Sequence, residues 1–123
     1  MILARLKGIY CVDVADLAKF MPERPDVFCI CLTALVGPHG KRGEDSFHVN
    51  VCTPGWMAEM CEKDGFVLGS HYLVVNAYNW SQILAILTKL LQNCSGETWE
   101  EVARKVGRIG TWEFEDYRNE ASP

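Results

Sequence analysis

Three cysteines and one histidine are the residues whose types and spacing could bind a metal ion. Cys29 and Cys31 lie on one apolar stretch of the chain, and His48 and Cys52 lie on the next. Thiolates and imidazoles are preferred ligands of zinc, so these four side chains could form a site if the two stretches lay side by side. Cys-x-Cys within a strand more often fills an apolar gap, however. We therefore predict packed thiols and no metal or other cofactor, with a small metal-binding domain as an alternative.

The remaining cysteines lead to the same expectation. Disulfide frameworks in small secreted proteins usually join loops, whereas the cysteines of this chain lie within apolar stretches. We therefore predict reduced thiols in the core, at Cys11, Cys29, Cys31, Cys52, Cys61 and Cys94.

The sequence contains none of the local motifs that mark common catalytic sites. It has no Gly-x-Ser-x-Gly and no His-Glu-x-x-His motif, and His39, His48 and His71 fall in different predicted elements. The glycine-rich segment 37–43 resembles a phosphate-binding loop in composition, but a strand follows it where such a loop needs a helix. We predict that this segment is a hairpin turn and that the protein is not an enzyme.

Composition and charge narrow the class of protein. The chain has 123 residues, 49% of them hydrophobic and 23% charged, which predicts a single domain over residues 1–123. Twelve Lys and Arg against sixteen Asp and Glu give a net charge of -4, the wrong sign for general nucleic-acid binding. No apolar run is long enough for a membrane helix, and the first residues lack the pattern of an export signal. We expect a cytoplasmic protein that binds neither nucleic acid nor membrane.

Two stretches of alternating residues predict a β-hairpin. Segments 26–36 and 46–53 each place apolar residues on one side, and the polar, glycine-rich segment 37–44 joins them. Their apolar faces match only in certain registers, of which the one with Val36 opposite Asp45 also pairs Cys29 with Cys52. Residues 2–12 and 71–78 are further strand candidates.

Capping residues predict three helices. Thr53 precedes Pro54 and a helix that ends near Gly65, Asn79 can cap a longer apolar helix that Ser95 and Gly96 stop, and residues 98–101 form a capping box. Strands followed by helices indicate an α+β fold, with an antiparallel sheet of about four strands and two or three helices packed on one face. A mixed sheet is the alternative.

The last part of the chain concentrates acidic residues and tryptophans. Residues 97–123 carry four basic and seven acidic side chains, a net charge of -3. The carboxylates form either a solvated edge or a negative surface that attracts a basic partner. Tryptophans beside caps and turns usually anchor their elements to the core, although Trp is also common at binding interfaces. The candidate partner-binding residues are Glu97, Glu100, Glu101, Glu113, Glu115 and Asp116.

Four sequence blocks resemble the immunity protein 8 family of bacterial polymorphic-toxin systems. They are residues 51–56 (VCTPGW), 69–75 (GSHYLVV), 96–103 (GETWEEVA) and 110–117 (GTWEFEDY). The resemblance implies a small cytoplasmic α+β protein, encoded beside a toxin, that protects its producer by binding that toxin without catalysis. It does not identify the residues that contact the toxin.

The composition, the lack of catalytic motifs and the family resemblance together predict a stoichiometric inhibitor. We expect it to cover the active site of the toxin or another surface that the toxin needs. A non-enzymatic adaptor or subunit of another complex is the alternative from a different class, because nothing in the composition distinguishes one binding partner from another.

Overall fold

Three strands, β1, β2 and β3, form the centre of the molecule. The computed structural model describes residues 1–114, and in it β1 is Ile2–Tyr10, β2 is Cys29–Pro38 and β3 is Asp45–Cys52. Strands β2 and β3 form the predicted antiparallel hairpin, with Cys29 opposite Cys52 and Val36 opposite Asp45. This is one of the registers in which the apolar faces match, as the sequence predicts. It is fixed because a shift of one residue would turn the apolar face of either strand to solvent.

Short segments complete the sheet on both sides of these strands. They are β4 (Tyr72–Val74), β5 (Ser95–Gly96) and β6 (Thr111–Trp112). The strand order is β4-β3-β2-β1-β5, and β6 also pairs with β3. The α+β fold is confirmed, but the expectation of about four antiparallel strands is inexact, because the sheet within residues 1–114 has six strands and β4 runs parallel to β3, as in the mixed alternative. The sheet is mixed because the chain returns to β3 through a helix, and such a crossover joins parallel strands.

The three predicted helices are present. They are α1 (Pro54–Asp64), α2 (Trp80–Gln92) and α3 (Trp99–Val106). Thr53, Asn79 and Thr98 cap their N-termini as predicted, and α3 has the complete capping box. The predicted stop of α2 is wrong, since this helix ends at Gln92, and residues 95–96 instead form the strand β5.

The core lies between one face of the sheet and the helices α2 and α3. Phe47, Leu32 and Val51 project from the strands into this core and are at most 2% exposed. Helix α2 contributes Ile83, Leu87 and Leu91, and helix α3 contributes Val102, Ala103 and Val106. Helix α1 buries no residue completely and reaches the opposite face through Trp56, whose ring lies 5.8 Å from that of Tyr72. Not every helix therefore packs on the same face.

The cysteines are unpaired, but only some of them are core residues. None of the six, all of which lie within residues 1–114, forms a disulfide. Cys11, Cys52 and Cys94 are buried as expected and Cys29 is partly buried. The prediction of a core position is wrong for Cys31 and Cys61, which are exposed. Cys31 lies on the face of the sheet opposite α2 and α3. On that face, a residue within an apolar stretch of the sequence can still be exposed to solvent.

Within residues 1–114, no helix combines the length and the apolar character needed to span a bilayer.

Candidate partner-binding surface

Asp45 connects the two parts of the chain that carry the candidate acidic residues. Its Oδ2 atom accepts hydrogen bonds from Nε1 of Trp99 at 2.7 Å and from Nε1 of Trp112 at 3.1 Å. Trp99 begins α3 and Trp112 belongs to β6, so a single carboxylate holds both elements against the start of β3. Asp45 is not among the residues predicted from the sequence. A signal for it existed, because each tryptophan that anchors an element needs an acceptor for its indole N–H.

The short strand β6 extends this junction along the edge of β3. The backbone N–H of Glu113 donates to the carbonyl of Ser46 at 3.0 Å, and the N–H of Ser46 donates to Oε1 of Glu113 at 2.7 Å. The ring of Trp112 stacks on Phe47 with a centroid distance of 6.4 Å and meets Phe114 edge-on at 5.7 Å. Backbone pairing and ring contacts therefore fix Glu113 beside the hairpin.

Two of the acidic residues on α3 interact with their own helix. One oxygen of Glu101 accepts from the backbone N–H groups of Glu97 and Thr98, at 3.0 and 3.3 Å, which completes the capping box. Glu100 forms an ion pair with Arg104 at 2.7 Å, with both side chains more than 60% exposed. Exposed pairs of this kind stabilise a helix weakly, so Glu100 remains available to a partner at little cost.

Glu97 differs from the other carboxylates of this surface. Its side chain makes no hydrogen bond or ion pair with any residue of the described part of the chain, and the residue is exposed. Of the six predicted residues, Glu97, Glu100 and Glu101 flank Trp99 along the chain and Glu113 follows Trp112, so they adjoin in sequence the two tryptophans that Asp45 binds. Glu115 and Asp116 lie outside the described residues.

A groove between α3 and β6 adds an apolar floor to the acidic surface. This cavity of 560 Å³ has Ala103, Gly107, Trp112 and Phe114 in its lining, together with Glu100, Arg104 and Arg108. One carboxylate and two guanidinium groups therefore lie beside the aromatic rings of Trp112 and Phe114. Such a surface can bind another protein through apolar contact and charge pairs, and it holds no arrangement of nucleophile and base.

The candidate metal ligands lie on one side of the hairpin but do not form a site. Cys29 faces Cys52, and Nδ1 of His48 lies 3.3 Å from Oγ1 of Thr33, its hydrogen-bond partner. No group of three or more His, Cys, Asp or Glu side chains within residues 1–114 could hold a metal ion.

The thiols of this group are also poor ligands in their present state. Burial, together with the charges of Cys52 and Cys31, raises the pKa of Cys29 to about 12. Burial raises the pKa of Cys31 and of Cys52 as well. Because zinc binds the thiolate form, these shifts oppose metal binding at neutral pH.

The other two histidines have structural partners. Nε2 of His71 donates to the carbonyl of Gly107 at 2.7 Å, and its Nδ1 lies 3.0 Å from Oγ1 of Thr111. His71 therefore joins the start of β4 to the end of α3 and to β6. His39 lies 3.3 Å from a guanidinium nitrogen of Arg5.

Comparison of the whole sequence with known families gives one match. A family model described as Immunity protein 8 matches residues 4–117, which include all three helices and nearly the whole sheet. No curated protein and no solved structure matches the chain.

Proposed function

The chain belongs to the immunity protein 8 family, and on this basis we propose that it binds and neutralises a cognate bacterial toxin in the cytoplasm of its producer. The observation that carries the proposal is the family match over residues 4–117. The protein acts by covering the active site of the toxin or another surface that the toxin needs. It works stoichiometrically and without catalysis, so its concentration must exceed that of the toxin.

We assign toxin binding to the acidic surface around Asp45. The support is that one carboxylate holds both Trp99 and Trp112, and that their neighbours along the chain include exposed carboxylates. A surface formed before binding loses little conformational entropy in the complex. The contact residues proposed within the described chain are Glu97, Glu100, Glu101 and Glu113, and Glu115 and Asp116 extend the set in sequence.

The charge of this surface suggests the chemistry of the partner. A toxin that cleaves nucleic acid needs a basic substrate site to hold phosphates, and an acidic inhibitor would occupy the same site. Opposite charges would also steer the two proteins together and raise the association rate. We therefore propose a basic toxin surface as the target.

Co-expression with the toxin encoded beside this gene tests the proposed function. Cells that produce both proteins should survive, and the two proteins should copurify in equal amounts. Continued killing by the toxin while this protein accumulates in folded form would refute the proposal. Copurification with an unrelated complex would instead support the adaptor alternative, and unfolding by a chelator would support the metal-binding alternative.

Charge reversal tests the assigned surface separately. Replacing Glu97, Glu115 and Asp116 together by lysine should slow association with the toxin and reduce protection. The control replaces three other acidic residues, which are exposed, by lysine and changes the net charge equally: Glu23, Glu62 and Asp64. Equal association rates for the two variants would remove the acidic surface from the proposal and leave toxin binding intact.

A further inference from the structure

The outer edge of β1 is unpaired over its second half. On this edge β5 pairs only with Ile2 and Leu3, and the N–H of Ala4 donates to the carbonyl of Cys94 at 3.0 Å. From Leu6 to Tyr10, no other backbone segment within residues 1–114 pairs with this side of the strand. The opposite edge of the central sheet differs, because β4 and β6 both pair with β3.

The register identifies which groups of this edge point outward. The N–H of Ala4 points away from β2, and successive residues of a strand alternate in direction, so the N–H and C=O of Leu6 also point outward. A bulge between Leu6 and Gly8 inserts one residue and moves the next outward position to Ile9. Leu6 and Ile9 therefore present two sets of backbone donors and acceptors with the spacing of a strand edge.

A groove along this edge has one side of α2 as its floor. Two cavities, of 630 and 360 Å³, lie along β1 and have Leu84 of α2 in common, and residues 14–18 form a further wall of the second. The helix contributes a stripe at four-residue spacing, namely Trp80, Leu84, Thr88 and Gln92. In a strand added to β1, every second side chain would contact this stripe of α2. The strands already in the sheet contact the core side of α2 in the same way. The added strand needs apolar residues at the alternate positions that face Trp80 and Leu84.

The charges at the end of the groove near the turn between β2 and β3 are positive. Arg5 lines the first cavity and is exposed, with its guanidinium group beside His39, and Lys41 and Arg42 follow in the hairpin turn. The amine of Lys7 donates to the carbonyls of Lys41 and Gly43 in that turn, so it does not protect the outer edge of β1 from pairing. Opposite charges on neighbouring strands stabilise their pairing, so an acidic residue fits opposite Arg5.

We propose that the β1 edge from Leu6 to Tyr10 binds an extended segment of the toxin as an additional strand. The segment carries apolar side chains toward α2 and an acidic side chain near Arg5. This inference rests on the proposed function, and it adds a second contact to the acidic surface around Asp45. Backbone hydrogen bonds would supply affinity, while the stripe on α2 and Arg5 would supply specificity.

Hydrogen exchange of single amides tests the strand pairing directly. In the purified protein, the amides of Leu6 and Ile9 should exchange rapidly because they lack a partner. In the complex with the toxin from the adjacent gene, both should exchange at least about tenfold more slowly. Arg5 and Tyr10, which pair with β2, serve as references. Unchanged exchange at Leu6 and Ile9 in a formed complex would overturn the inference while toxin binding stands.

Two matched pairs of variants test the groove. Thr88→Glu places a charge on the stripe and should weaken toxin binding at least about tenfold, whereas Ala85→Glu on the exposed side of α2 should change it less than about twofold. Ile9→Pro removes the outward N–H and should weaken binding more than Ile9→Ala, which keeps it. Equal binding by both members of each pair would contradict the inference. If Thr88→Glu or Ile9→Pro does not fold, the exchange measurement decides.

The other possible occupant is a second copy of the chain. Light scattering of the protein alone would then give the mass of a dimer, and Leu6 and Ile9 would be protected without toxin, which would overturn the inference. Failure of the wild-type protein to bind the toxin at all would refute the proposed function itself. A monomer whose edge amides become protected only with toxin supports the inference.

Discussion

Asp45 accepts hydrogen bonds from two indole groups of different elements, whereas the two that Glu101 accepts are local to the start of α3. The two donors, Trp99 and Trp112, come from different elements, and both are partly buried. A hydrogen bond to a charged acceptor contributes more than one between neutral groups, because the low dielectric constant near the ring systems strengthens it. The residue therefore determines the geometry of a surface whose other carboxylates are exposed.

Replacing Asp45 by alanine should destabilise the protein by about 2 to 4 kcal/mol, because two partly buried donors lose their acceptor. Asp45→Asn should cost less, since its amide oxygen can still accept a hydrogen bond. Urea unfolding followed by tryptophan fluorescence measures both. Glu44→Ala, at the exposed neighbouring position, should change the free energy of unfolding by less than about 0.5 kcal/mol. An equally small effect of Asp45→Ala would show that the indole groups find other partners.

Cys29 provides a test of the environment on the opposite face of the sheet. With its pKa raised to about 12, mainly by burial, the thiol should react slowly with iodoacetamide at pH 8. Its rate should rise about tenfold per pH unit up to roughly pH 11, because only the thiolate reacts. Mass spectrometry of the peptide that contains Cys29 measures this rate. A rate that levels off near pH 9 would mean that burial does not raise the pKa of Cys29.

The same shift affects stability at alkaline pH. The folded state retains the proton of Cys29, whereas the unfolded chain releases it near the ordinary thiol value of 9.0. The stabilising contribution is therefore complete below about pH 9 and is lost as the pH rises from there toward 12.

At the scale of elements, the N-capping residues Thr53 and Thr98 differ in which parts of the structure they connect. Oγ1 of Thr53 accepts from the N–H of Trp56 in α1 and also from the N–H of Phe28 beside β2, and the residue is 1% exposed. Thr98 caps α3 on the surface, where water can replace its hydroxyl. One hydroxyl thus joins the end of the hairpin to a helix, and the other serves a helix alone.

This difference predicts a ranking of two equivalent substitutions. Thr53→Val should cost about 2 to 3 kcal/mol, because it leaves two donors without an acceptor in a buried place. Thr98→Val should cost about 1 kcal/mol, the usual effect of losing an N-cap. Thermal unfolding followed by circular dichroism compares the two variants. A larger loss for Thr98→Val would contradict the assignment of Thr53 as the connecting residue.

At the scale of the whole molecule, charge is unevenly distributed. The formal net charge of -4 combines a positive region at Arg5 and the hairpin turn with the acidic surface around Asp45. Long-range attraction between exposed charges acts on association and is screened by salt, whereas short-range packing controls dissociation. The two kinetic constants of the toxin complex should therefore respond differently to ionic strength.

Raising the salt concentration from about 0.05 M to about 0.5 M should lower the association rate constant at least about tenfold. The dissociation rate constant should change much less, because apolar and backbone contacts hold the formed complex. Surface plasmon resonance with the purified toxin gives both constants. An association rate that does not depend on salt would argue against binding through the acidic surface.

Local features of the sequence determined the hairpin, its register, the N-caps of all three helices and the family. The hairpin, its register and the N-caps follow from contacts between neighbours in the chain or from alternation, which a register shift would violate, and the family follows from four sequence blocks. The acidic residues of α3 were also identifiable, because a capping box and its flanking carboxylates are local.

Only the tertiary structure decided the parallel pairing of β4, the strand at residues 95–96, the role of Asp45 and the open edge of β1. Two or three residues pair in each short strand, too few to leave a periodic pattern. Asp45 becomes an anchor only because Trp99 and Trp112 reach it from distant positions. An edge is likewise defined by which segments pair beside it, and that depends on the path of the whole chain.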